Sequence, residues 1–260
     1  MNKSLILSLT FITVQLSVLC QDTVFNQFDR NHRKTGYWQS HYDNGRLRYK
    51  GYFEDDKPVG KMIKYYPGGL IQAIMIFEKK EDVSRVKLFS ENGKIIAEGK
   101  YAGKLKDSVW NYYSSFDGKL TLRETFLNGR RNGPSSRFYS NGTPSEIKEW
   151  ENDTEQGKWE QYYESGHLRL KCSYHQGNRN GSFQSFYPGG KLSISGEYKN
   201  GLMNGIWTYY QENGDKDYEA EYINGKMLPN EAYDKKTEEF SRKILEIVRD
   251  FPEPDHPDNP

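Results

Sequence analysis

A block of about 24 residues recurs eight times along this chain of 260 residues. The blocks start at Gly36, Gly60, Ser84, Ser108, Gly133, Gly157, Gly181 and Gly205, each 24 residues after the last except for one extra residue near Ser114–Phe116. Each block has a glycine about nine residues in, from Gly45 to Gly214, and an aromatic eight residues beyond it, from Phe53 to Tyr222. Trp38, Trp110, Trp159 and Trp207 share the third position, and an aromatic stands near the sixth in seven blocks. A period this short means one supersecondary unit repeated, whose apolar face is covered only when neighbours stack on it.

The second half of a block alternates strictly. In 191–198, Leu192, Ile194, Gly196 and Tyr198 share one face, and Lys191, Ser193, Ser195 and Glu197 the other, the period of a half-buried strand. The first half is rich in aromatics, which favour strands, and ends in a turn signal such as Asp43-Asn44-Gly45 or Pro67-Gly68-Gly69. Each block therefore reads as a β-hairpin. The chain is expected to be all-β: an elongated antiparallel meander of about eight hairpins. At about 4.8 Å per strand, sixteen strands make a rod roughly 75 Å long. Aromatics at both the third and sixth positions do not fit one face of a flat strand, so a bulge or strong twist is expected between them. Stacked aromatic ladders are expected to hide the apolar face.

Composition narrows function more than fold. Net charge is +1 with no basic excess, which argues against a nucleic-acid partner. Apolar residues are 35% and aromatics 15%, so buried area must come largely from rings.

The pattern Gly-x-Trp-x-x-Tyr-Tyr-x-x-Gly-x-Leu, followed by an aromatic and Asn-Gly or a similar turn, stands best at 157–177 and 181–201. It resembles the MORN repeat, in the variant form common in exported bacterial proteins, over residues 36–228. The resemblance implies an elongated β array and a non-catalytic scaffold or binding module; some family members are labelled antitoxins. Ser84 and Ser108 replace the opening glycine in two blocks, and Pro134 and Pro144 fall inside the strands of the fifth, where irregularity is expected.

The ends differ from the array. Residues 1–20 read as an export signal: Lys3, then an apolar run Leu5–Leu19 too short for a typical membrane span of roughly 20 residues. Simple cleavage after Cys20 ranks ahead of lipidation on it, because Leu19 is not the small residue that lipoprotein signals want. No transmembrane helix is expected after cleavage. Residues 21–35 form an N-terminal segment. Residues 229–251 read as a helix capped by Asn230 or Asp234, with an apolar stripe of Tyr233, Phe240, Ile244, Leu245, Ile247, Val248 and Phe251 expected to pack on the end of the sheet. The tail 252–260, with four prolines, is expected to be disordered.

Chemistry is sparse. The five histidines show no metal-ligand spacing, and no phosphate loop, dinucleotide fingerprint or nucleophile elbow is present. No catalytic residue, cofactor or metal is expected. Cys172 occupies a slot held elsewhere by Gly51, Met75, Gly99, Gly196 and Ala220, and reads as a buried structural thiol.

Two sets of residues are candidates for binding. Leu70, Ile74 and Ile76 stand in block two where other blocks put polar residues, so cover is needed on both faces, either by Val24–Phe28 or by a partner. Tyr42, Tyr66, Tyr139, Tyr163 and Tyr187 recur at one position and, if exposed, could stack on sugar rings. The leading expectation is an exported, periplasmic, secreted or envelope-associated scaffold that binds protein. A cell-envelope glycan binder and an antitoxin-like binding protein are the alternatives.

Overall fold

The computed structural model describes residues 24–78 and 82–249, with side chains to 244. The export signal, Cys20, the tail and the apolar helix positions from Leu245 onward lie outside what it describes. The array is a single antiparallel meander, strand following strand in chain order from Lys34–His41 to Lys216–Ile223. Each block is one hairpin: Gly36 to His41 pairs with Leu47 to Phe53, and Gly205 to Tyr210 pairs with Lys216 to Tyr222.

Two irregularities repeat with the period. The first lies between the fifth and sixth residues of every block, where register shifts by one residue, at Ser40/His41, Lys64/Tyr65 and so on to Tyr209/Tyr210. This is a bulge, but its extra residue lies on the facing strand: Ser40 pairs with Tyr49 and His41 with Leu47, skipping Arg48. The third and sixth positions therefore keep their alternation and take opposite faces, with the sixth-position Tyr162 bonding the outer-face Glu160 while Trp159 is buried. The second lies where a block begins. Lys50 pairs with Ile63 but Tyr52 pairs with Val59, leaving extra residues around Gly60, whose φ is +66°. Only glycine takes such a φ without steric cost.

The two serines that replace the opening glycine behave differently. Ser108 keeps the bulge and holds φ at +58°. Ser84 drops it: Phe77 pairs with Ser84 and Met75 with Val86 in unbroken register. The fifth block is regular, contrary to the expectation raised by its prolines. Pro144 opens its strand and Pro134 lies within the recurrent bulge, both places where the missing amide donor is tolerated. The extra residue of block four is absorbed in the turn Ser114–Lys119, which pushes Phe116 into solvent.

The core is one face of this single sheet. Residues at the third position, those two or four before the ladder aromatic, and two of the ladder aromatics supply the buried set: Trp38, Phe53, Met62, Ala73, Val86, Ala97, Trp110, Phe126, Trp159, Cys172, Trp207 and Ala220. Rings meet edge-on along the array. Phe183 contacts Tyr198 at 5.6 Å, Tyr198 contacts Trp207 at 5.1 Å, and Trp207 contacts Tyr222 at 6.2 Å. Such pairs add about 0.5–1.5 kcal/mol beyond area burial.

The helix Glu231–Arg249 is capped by Asn230, whose side chain accepts from the Tyr233 amide at 3.0 Å. Its first turns meet the sheet, through Tyr233 on Tyr218 at 5.9 Å and a Lys236–Asp217 ion pair. Phe240 and Ile244 stay exposed rather than packing on the sheet.

Candidate functional site

The recurring tyrosines are structural before they are anything else. Tyr42 Oη donates to the Tyr65 carbonyl at 2.7 Å, Tyr66 to Phe89 at 2.7 Å, Tyr139 to Tyr162 at 2.8 Å, Tyr163 to Phe186 at 2.8 Å, and Tyr187 to Tyr210 at 2.7 Å. Each reaches 23 residues ahead and ties its hairpin turn to the next hairpin. Their rings are half-buried, so they form no open row. Blocks three and four put Ser90 and Ser114 at this position; the Ser90 hydroxyl bonds the Lys94 carbonyl at 3.1 Å and that of Ser114 accepts from the Phe116 amide, both within their own turns. The signal was in the sequence: a tyrosine just before the turn glycine in five blocks, replaced by Ser90 and Ser114 in blocks three and four and by Gln211 in block eight.

A second relation went unread in the sequence. A Cβ on Gly99 would lie 2.4 Å from the Trp110 ring, and one on Gly196 would lie 2.3 Å from that of Trp207. The glycine is the floor on which the next block's tryptophan rests. Trp110 Nε1 and Trp207 Nε1 then reach the Lys100 and Glu197 carbonyls at 3.0 and 3.2 Å. Before Trp159 the floor residue is Lys148, and that indole turns instead to the Glu146 carboxylate at 2.8 Å. Burial disfavours charge on Lys148, but Glu155 at 2.7 Å and Glu146 outweigh it and raise its pKa. The cluster is a paired network in which the two carboxylates hold Lys148 in its charged form.

Cys172 is buried opposite Trp159, as the sequence suggested. Burial pushes its thiol up to about 11, the opposite of a reactive cysteine. Among the described residues no group of three or more His, Cys, Asp or Glu is placed to hold a metal ion. No helix among them is long and apolar enough to cross a membrane.

The apolar outer positions of block two remain. Ile74 and Ile76 lie on the outer face, opposite Ile63 and Lys61. Ile76 is 50% exposed. Leu70 is 52% exposed but sits apart, in the turn, where its carbonyl accepts from the Tyr66 amide. The segment Val24–Phe28 does not cover any of the three. It runs along block one instead: Gln27 and Phe28 pair with Thr35 and Lys34, Phe28 meets the Trp38 ring at 5.0 Å, and Trp38 Nε1 donates to the Gln27 carbonyl at 3.1 Å. The reason is geometric. Trp38 belongs to the first block, so no preceding hairpin supplies its cover, and the incoming chain does.

The outer face there has two adjoining hollows. One of about 530 Å³ is lined by Ile74, Ile76, Val109, Arg85, Lys87 and Lys100, and one of about 400 Å³ by Phe25, Tyr37, Lys50 and Ile63; Lys61 lines both. The inner face has its own hollow of about 520 Å³ between blocks two and three, where Met75, Phe77, Val86, Leu88 and Tyr101 line a space left by the absence of a third-position tryptophan. Between the helix and the last two blocks, Tyr187, Tyr209, Tyr210, Tyr218, Tyr233 and Phe240 line a cleft of about 620 Å³. The phenol of Tyr209 is pushed well above its usual range by burial there.

Comparison with known proteins gives one family. The MORN repeat variant matches at residues 34–55, 155–176, 179–200 and 203–224, which are blocks one, six, seven and eight. The unmatched middle is where Ser84, Ser90, Ser108 and Ser114 depart from the pattern and where Met62 and Val86 replace tryptophan. A search of curated proteins found no match. Repeats of this family are generally modules for interaction with proteins or membranes. Four segments of the chain match the MORN repeat variant in sequence, and all eight blocks are built on the same hairpin plan.

Proposed function

We propose that this protein is an exported, non-catalytic repeat scaffold that binds a protein partner through the outer face of its first four repeats. One observation carries the reading: apolar side chains at Ile74, Ile76 and Val109 line a hollow that the chain's own N-terminal segment leaves open. Exposed apolar surface with a polar rim is the usual mark of an interaction site. Export rests on the apolar run Leu5–Leu19 alone. The test is capture by in-cell crosslinking from the outer face, comparing wild type with Ile76→Lys, alongside mass spectrometry of the native N-terminus. Partner capture unchanged by Ile76→Lys would overturn the site, and an intact Met1 would overturn export.

Glycan binding is kept as a second reading, moved from the repeat tyrosines to the tyrosine-lined cleft beside the helix. Tyrosine rings beside the polar groups of Ser193, Asp217, Lys236 and Thr237 in a cleft of this size suit a small polar ligand. Binding of an oligosaccharide that Tyr233→Ala abolishes would favour it.

A further inference from the structure

The outer face changes charge along its length. In the first four repeats its positions hold Lys50, Lys61, Arg85, Lys87, Lys100 and Arg123 against Glu98. In the last four the same positions hold Glu149, Glu160, Glu197, Glu219 and Glu221 against Lys158 and Lys171. A chain of net charge +1 therefore presents a basic half and an acidic half on one surface. The two hollows over Ile63, Ile74, Ile76 and Val109 lie in the basic half.

Resting on the reading that this face docks a protein, we propose that its partner is an extended acidic polypeptide segment that alternates carboxylates with apolar side chains. Apolar side chains would fill the hollows over Ile63, Ile74, Ile76 and Val109. Carboxylates would meet the cations at the rim. Three of those cations already have internal partners: Arg85 with Glu78 at 3.5 Å, Lys87 with Glu98 at 3.6 Å and Lys100 with Asp107 at 3.8 Å. Lys50 and Lys61, which flank the junction of the two hollows, make no ion pair among the described residues. They are the free positive charge of the site.

Length and shape fit a chain segment. From Tyr37 to Val109 the site crosses seven strands, each paired to the next. Six steps of about 4.8 Å span about 29 Å, which about nine extended residues match. Hollows of about 530 and 400 Å³ suit several protruding side chains better than a flat anionic surface. The glutamates of the last four repeats repel the same segment and confine it to the basic half, a specificity device built from like charge.

The test uses the full chain and a labelled synthetic peptide of about nine residues alternating Glu with Phe and Ile. Its counterparts replace Glu by Lys or by Ser. Fluorescence anisotropy is expected to show binding of the Glu peptide alone, weakening as salt rises. The double charge reversal Lys61→Glu with Lys87→Glu is expected to raise Kd about tenfold or more, whereas Glu197→Lys in the acidic half leaves it unchanged. Both sites are exposed, and circular dichroism checks that the sheet is retained. Equal binding of the Lys peptide, or indifference to the reversal, overturns the proposal. So does binding to vesicles of phosphatidylcholine with phosphatidylserine in place of the peptide, or self-association by sedimentation that the reversal abolishes. If the Glu peptide fails while Ile76→Lys still abolishes partner capture, the acidic class is wrong and docking at this face stands.

Discussion

Gly196 lies directly beneath Trp207, so close that a single added methyl would sit 2.3 Å from the indole. The floor glycine and the tryptophan eleven residues later form one unit across two repeats. Gly196→Ala is expected to destabilise by about 2–3 kcal/mol, the usual cost of overpacking a tight core. Ala220 holds the same position with no tryptophan to follow, and its methyl is tolerated. Denaturant melts of Gly196→Ala and Ala220→Gly check this; equal effects at the two sites would contradict it.

The tyrosine clasps predict a small, additive loss. Tyr163→Phe removes one hydrogen bond, to the Phe186 carbonyl, and keeps the ring. A cost of about 0.5–1.5 kcal/mol is expected. Tyr42→Phe, five repeats away and sharing no partner, should add to it. Urea titrations of both singles and the double mutant measure the sum.

The incoming segment covers block one, and its loss should be felt there. Phe28→Ala removes an edge-on contact with Trp38, worth about 1 kcal/mol. Hydrogen exchange is expected to quicken in Lys34–Glu54 and to stay unchanged in Ile71–Phe77. Deprotection at Ile71–Phe77 would mean that the segment covers the block-two patch after all.

Cys172 predicts an alkaline limit. Burial raises its folded pKa to about 11, above an unfolded value of about 8.5. The folded chain thus keeps a proton that the unfolded chain loses. This contribution is intact below about pH 8.5 and is lost as pH rises towards about 11. Cys172→Ala should flatten the decline in stability across that window. At neutral pH, peptide mapping should find Cys172 unlabelled by a thiol reagent in the native protein and labelled in denaturant.

The sequence by itself determined the hairpin, its period and the count of eight; the bulge it suggested between the third and sixth positions lies instead on the facing strand. Each of these is a local property: alternation fixes which face a residue takes, and a turn glycine at a fixed offset fixes where the strand reverses. It also placed Cys172 in a buried slot, because one position repeated small side chains. Only the tertiary structure decided the relations between blocks. The tyrosines read as free rings for a sugar, yet each hydroxyl is spent on a carbonyl 23 residues away. Val24–Phe28 read as cover for block two, yet it lies on Trp38, which lacks a preceding hairpin to shield it. The helix stripe read as packed, yet Phe240 and Ile244 face solvent, while the first turns meet the sheet through Tyr233 and Lys236. Periodicity assigns a side chain to a face, but which neighbour meets it there depends on strand spacing, twist and the end of the array. Those are set by the assembled sheet.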